Sequence, residues 1–327
     1  MRLNGGVIGR ANESNAASAP GIWGWAEQNV RLLYEEFPVV TSGLSSGYTS
    51  GGASPSNVNT IDKFPFAADG NATDVGDLTV SRTQPVGQSS VDNGYTSGGF
   101  TTEAVNTVDK FPFSANANAT DVGDLTQARS QSAGQSSSTS GYTSGGNSPL
   151  VPGPSNTIDK FPFSADGNAS DVGDLTVSRN APAGQSSSLS GYTSGGFIPP
   201  STRSTIIDKF PFSSDSNASD VGDLTVGRNS SAGQSSSTNG YNSGGSSPAQ
   251  VNTIDKFPFA ADGNATDVGD LTVSRTALVG QSSTVSGYAS GGNLFNTIDK
   301  FPFASDANAS DVGDLTQARG SAAGQQG

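Results

Sequence analysis

The chain repeats itself six times, and this periodicity limits its fold more than any other feature. A Gly-Tyr pair recurs with its tyrosine at Tyr48, Tyr95, Tyr142, Tyr192, Tyr241 and Tyr288, each followed by a double glycine. Asp-Lys-Phe-Pro-Phe begins at Asp62, Asp109, Asp159, Asp208, Asp255 and Asp299. Asp-Val-Gly-Asp-Leu-Thr begins at Asp74, Asp121, Asp171, Asp220, Asp267 and Asp311. An arginine closes each unit (Arg82, Arg129, Arg179, Arg228, Arg275, Arg319), and a Gly-Gln pair follows it. The units are 44 to 50 residues long.

Each unit reads as short strands punctuated by Gly, Asn and Asp: a Gly-Gln-Ser-Ser stretch, a Tyr-x-Ser-Gly-Gly stretch, Asn-Thr-Ile-Asp-Lys-Phe-Pro-Phe, and a segment ending in Asp-Leu-Thr. Four strands recurring six times predict an all-β, six-bladed β-propeller of four-stranded blades over residues 39–327. An open β-solenoid is the competing architecture, but its coils are usually shorter. Six blades need six first strands, and the chain offers seven. Either the C-terminal Gly324-Gln325-Gln326 tail or Val39–Ser46 completes blade 1, and the match of the tail to the repeat favours the tail.

The spacings separate scaffold from surface. The Asp of Asp-Lys-Phe lies 12 residues before Asp-Val-Gly in every unit, and each closing Arg lies 12 before the next Gly-Tyr. Only the gap from the second glycine to Asp-Lys-Phe varies, at 10, 10, 13, 12, 10 and 7 residues. All length variation therefore falls in one loop per blade, on one face. Loops on rigid scaffolds often carry recognition. Phe100, Leu150, Val151, Phe197, Ile198, Leu294 and Phe295 are the candidate partner-binding residues, although drift at a site that tolerates insertion would leave the same pattern.

Within the repeat, the paired phenylalanines (Phe64 and Phe66 in the first unit) point to one side of a strand and supply inter-blade core. Pro65 between them cannot donate to a ladder and requires an edge, a bulge or an unpaired position. Asp69, Asn71, Asp74 and Asp77 offer oxygen ligands for calcium, yet their spacing is not that of an EF-hand loop and such side chains also satisfy turns. Asp62, Asp77 and Arg82 equally suit a repeated ion-pair network. No cofactor is expected. The Asn-Ala-Thr/Ser triplets beginning at Asn71, Asn118, Asn168, Asn217, Asn264 and Asn308 read as turns rather than glycosylation acceptors.

Composition narrows the chemistry. With no Cys and no His, the chain cannot build a thiol nucleophile, a Cys/His zinc site or a Ser-His-Asp triad. No unique carboxylate pair breaks the sixfold pattern, and an enzyme is not expected. A net charge of −13 argues against nucleic acid as a partner. No run approaches the length of a membrane span. The first residues lack the apolar stretch of a secretory signal.

Residues 1–38 stand outside the repeat. Ser18-Ala19-Pro20 suits a helix start, and Trp25 to Tyr34 a short amphipathic helix. Trp23 and Trp25 are the only tryptophans, and with Ile22, Leu32, Leu33 and Tyr34 they make this arm either an assembly segment or a cap for the propeller channel.

The order Arg, small polar residues, Gly-Tyr, double glycine, variable loop and aromatic third strand resembles the kelch repeat over residues 39–327. The tryptophan usual in a kelch fourth strand is replaced by Asp-Val-Gly, and the copper site of galactose-oxidase-like kelch enzymes would need the missing Cys and His. Asp-Lys-Phe-Pro-Phe with Asn-Ala-Thr-Asp-Val-Gly-Asp-Leu-Thr resembles repeat proteins of marine and cyanobacterial phages, and Gly21-Ile22-Trp23 with Glu27-Gln28 the start of phage virion structural proteins. These resemblances imply a virion or extracellular structural protein that self-associates, or joins other virion proteins, through its arm. Its loops would contact a cell-surface glycan or receptor. The alternative is a monomeric, lectin-like or partner-binding propeller.

Overall fold

A computed structural model describes residues 45–148, 153–293 and 295–327. The arm residues Ile22, Trp23, Trp25, Leu32, Leu33 and Tyr34, and the loop residues Leu150, Val151 and Leu294, lie outside the described residues. Among the described residues there is no helix; they form six four-stranded antiparallel sheets and three two-stranded hairpins.

In the second blade the strands, from the axis outward, are Val86–Ser89, Asn93–Ser97, Thr107–Pro112 and Thr120–Asp124. The six inner strands pack on one another in a closed circuit, so the sheets are blades of a propeller. Each inner strand is supplied by the unit before: Arg82 ends one blade, and the chain then crosses to start the next at Val86. The first blade is completed by Ala323–Gln326 from the C-terminus, which pairs antiparallel with Ser46–Ser50, Gly47 opposite Gln326. The tail therefore closes the ring, and Gly327 extends the pairing through bonds with Ser45 and Ser46. Residues 39–44 of the competing segment fall outside the described residues.

Two cycles of hydrogen bonds encircle the axis. At the start of the inner strands the backbone N–H of Gln131 donates to the carbonyl of Gln84 (3.1 Å), Ala181 to Gln131 (2.7 Å), Ser230 to Ala181 (2.8 Å), Ala277 to Ser230 (2.8 Å), Ser321 to Ala277 (2.7 Å) and Gln84 to Ser321 (2.6 Å). These six residues have φ between 50° and 58°, a left-handed conformation that costs a non-glycine residue about 1–2 kcal/mol. The hydrogen-bonded cycle holds them there. At the far end of the same strands, Ser89 N–H donates to Ser136 Oγ (2.9 Å), and the pattern passes round through Ser186, Ser235, Ser282 and Gln326 back to Ser89. Between the two cycles lies a constriction of six glycines. A Cβ on Gly134 would sit 2.2 Å from the carbonyl oxygen of Gly87, and one on Gly87 would sit 2.0 Å from that of Gly324, so only hydrogen fits.

The core lies between the blades rather than within them. Tyr48, Ile61 and Leu78 of the first blade close on Phe111 and Ala119 of the second, and five equivalent clusters fill the other seams. The expected role of the paired phenylalanines holds. Phe111 is tilted against Tyr48 at 5.6 Å, and Phe113 stacks on it at 4.9 Å and 29°. Such pairs add about 0.5–1.5 kcal/mol beyond their area. The glycine before each tyrosine makes room for the cross-strand ring, because a Cβ on Gly94 would lie 2.3 Å from Phe111 Cζ. The proline between the phenylalanines ends its strand: the register with the outer strand stops at Lys63 opposite Thr73, leaving Pro65 beyond it.

Candidate functional site

The seam between blades 1 and 2 shows where the repeated polar residues go. Asp109 is fully buried; it accepts hydrogen bonds from the Thr79 N–H (3.0 Å) and hydroxyl (2.7 Å) and pairs with Arg82 at 3.1 Å. Arg82 also donates to the carbonyl of Thr96 at 2.8 Å. Gln325 reaches across from the inner strand to the Tyr95 carbonyl (2.9 Å) and Thr96 Oγ1 (3.0 Å). The same arginine–aspartate pair recurs at all six seams, ending with Arg319 on Asp62. Burial pulls each arginine below its ordinary value, and the facing carboxylate opposes the shift.

The expected ion-pair network is therefore present but shifted by one blade: Arg82 meets Asp109, not Asp62, and Asp77 takes no part. The asparagine of each Asn-Ala-Thr/Ser triplet also has an inter-blade task. Asn118 Oδ1 accepts from the Asp77 N–H at 3.0 Å, and its five counterparts do the same. Thus the acceptor serves the neighbouring blade where a turn contact was expected.

Nearer the surface, Lys110, Lys160, Lys209, Lys256 and Lys300 each pair with an aspartate of the next blade. Hydrogen bonding to those carboxylates pushes Lys160, Lys209 and Lys300 upward. Burial pushes the adjoining Tyr142, Tyr192 and Tyr288 upward as well. Only one seam differs. Asn116 stands where the other seams have aspartate, and Lys63 has no ion pair among the described residues, its Nζ lying 5.5 Å from the Tyr48 ring centre. The net charge is consequently not a uniform solvated coat. One aspartate per blade is buried, and the unpaired carboxylates are chiefly the two on each outer strand, Asp74 and Asp77 in the first blade. Among the described residues no group of three or more acidic side chains could hold a metal ion.

What remains for recognition is the face bearing the variable loops. Blades 1, 4 and 5 extend there as the hairpins Ala53–Ser54/Ser56–Asn57, Phe197–Ile198/Thr202–Arg203 and Ser246–Ser247/Ala249–Gln250. Of the candidate contact residues, Phe100 is 39% exposed, whereas Phe197, Ile198 and Phe295 are half-buried. Phe197 and Ile198 pair with Arg203 and Thr202 across their hairpin. That hairpin brings the Arg203 carbonyl to within 2.1 Å of where a Cβ on Gly227 would be, at a position where five units carry Ser or Ala. Among the described residues no ring contact joins Phe100, Phe197 and Phe295. They belong to separate blades, 2, 4 and 6.

Phe100 instead borders a groove of about 680 Å³ between the loops of blades 2 and 3, with Thr102, Glu103, Gln84, Gln131 and Asn147. This volume lies within the range of about 300–1,000 Å³ that small-molecule sites occupy. The Phe100 loop is tightly held. Phe100 and Thr83 exchange backbone bonds of 2.7 and 3.0 Å, Thr101 N–H donates to the Glu103 carbonyl at 2.8 Å, and Asn57 of blade 1 donates to the Phe100 and Thr101 carbonyls. Opposite, Asn180 donates to Asn147 (3.0 Å) and Asn147 to Gln131 Oε1 (2.9 Å). Of these lining residues, sequence reasoning singles out Phe100 alone. Glu103 carries a signal it missed, being the one glutamate after Glu36.

No protein-family model matches the chain, and no curated protein matches it. The propeller thus stands on the structure, and the kelch and phage resemblances rest on their motifs.

Proposed function

We propose that this protein is a non-enzymatic structural or adhesive subunit of a phage virion appendage or extracellular fibre, with the variable-loop face as its contact surface. One observation carries this reading: the repeated arginines, buried aspartates, asparagines and glutamines are used in holding blade to blade, while all length variation is gathered on one face. The sequence also lacks the Cys and His on which many catalytic sites depend. Residues 1–38 would serve assembly. Light-scattering mass and negative-stain images of the full chain, beside a chain lacking residues 1–38, test this. Oligomers or filaments from the full chain and single discs from the shorter one are expected; single discs from both would end the assembly role.

The groove beside Phe100 favours a second reading, a monomeric partner-binding propeller that uses the same face. The two readings differ in self-association, which the mass measurement decides.

A further inference from the structure

We infer that the groove between the loops of blades 2 and 3 is a binding site for a neutral saccharide, with Phe100 as the platform on which a sugar ring lies. The inference rests on the reading of the variable-loop face as the contact surface, and it names the ligand class.

Three observations converge. First, a phenylalanine ring is kept 39% exposed on a loop that is fixed by backbone bridges and by an amide from the neighbouring blade. An exposed aromatic on a fixed loop loses little conformational freedom when a ligand covers it. The apolar C–H face of a pyranose offers a surface of matching shape and polarity.

Second, hydrogen-bonding capacity is left over around that ring. The Gln84 amide, the Gln131 Nε2 and the Glu103 carboxylate accept or donate no side-chain bond among the described residues, whereas the Asn147 amide is used on both sides. Donors, acceptors and one carboxylate beside an aromatic are what a polyhydroxylated ring needs, since each hydroxyl both donates and accepts. The Asn180–Asn147–Gln131 amide chain fixes the orientation of the far wall.

Third, the charge selects among saccharides. Among the described residues Glu103 is unpaired and no cationic side chain lines the groove, and the chain as a whole carries −13. Sialylated, sulfated or phosphorylated sugars would meet repulsion with no compensating cation, which sets anionic saccharides aside and leaves the common uncharged hexoses as the ligand class. The site is also singular. At the place of Phe100 the other units carry Ala53, Asn147, Phe197, Ser246 and Asn293, and Phe197 is half-buried against its own hairpin. Among the described residues only this seam joins an open ring to a free carboxylate.

The test uses the full chain and immobilised neutral oligosaccharides of glucose, galactose, mannose and N-acetylglucosamine, with sialylated counterparts alongside. Saturable binding to at least one neutral set is expected. It should fall about tenfold or more in Phe100→Ala, recover in Phe100→Trp, and weaken in Glu103→Gln, while Phe197→Ala binds as the parent does. Unchanged melting of Phe100→Ala excludes unfolding as the cause. No binding to any neutral set, stronger binding to the sialylated sugars, or equal loss in Phe197→Ala would overturn the assignment. Binding is read on single discs, using the chain that lacks residues 1–38 beside the full chain, so that loss of binding is distinguished from a failure of the assembly role.

Discussion

The seams between blades and the loops above them are written in the same six units, yet they obey opposite rules. At a seam the same kinds of part meet again and again: an arginine and an aspartate, a tyrosine and two phenylalanines, an asparagine and a backbone N–H. A change in one partner needs a change in the neighbouring blade, so the six copies have stayed alike. In the variable loops the side chains differ from blade to blade, and lengths range from 7 to 13 residues. The contrast separates positions that hold the ring from positions free to acquire a task. Even so, the two rules meet at Gly227, where an enlarged loop is accommodated by the loss of a side chain on the scaffold.

The comparison breaks most readily at the buried charges. Replacing Asp109 by Ala strands Arg82 and takes the acceptor from Thr79, and should cost about 3–5 kcal/mol in denaturant unfolding. The same change at Asp62 or Asp208 should cost a similar amount. A tolerant seam would show that the six are not equivalent. A smaller loss of about 1–3 kcal/mol is expected for Gly134→Ala, which forces a methyl into the constriction. Gly70→Ala, where a Cβ meets nothing within 4 Å, should stay within about 0.5 kcal/mol of the parent in the same assay. The smallest effect sharpens the comparison: Asn116→Asp would give Lys63 the partner its counterparts have. The gain should be about 0.2–1 kcal/mol, shrinking in high salt, and thermal melts at two ionic strengths would read it.

Much of the ring is legible in the amino-acid sequence alone. Period, spacing and turn residues lead to four strands per blade and six blades, and the tail's Gly324-Gln325 matches the strand that closes the ring. The partners across each seam are harder to see. Arg82 and Asp109 belong to different units and come together only when the chain crosses from one blade to the next, so a reading within one repeat pairs Arg82 with the wrong aspartate. Asn118 hides its role for the same reason, since a turn asparagine and an inter-blade acceptor look alike in sequence. The loop face is legible as a place but not as a site. Variability nominates Phe100 and Phe197 equally, and only the fold shows one ring open beside a groove and the other half-buried beside its hairpin.

The cycle of backbone bonds through Gln84, Gln131, Ala181, Ser230, Ala277 and Ser321 has a further consequence. A linear stack of repeats has end units, each held on one side only, and these fray first unless special caps protect them. A cycle has no end unit. Any blade that leaves must break two seams rather than one, so the partly opened forms available to a solenoid are raised in energy together. The one exception is the strand Ala323–Gln326, which can peel away without a blade leaving. Loss of order in this ring would begin at that latch, and the rest of the ring would follow as one event.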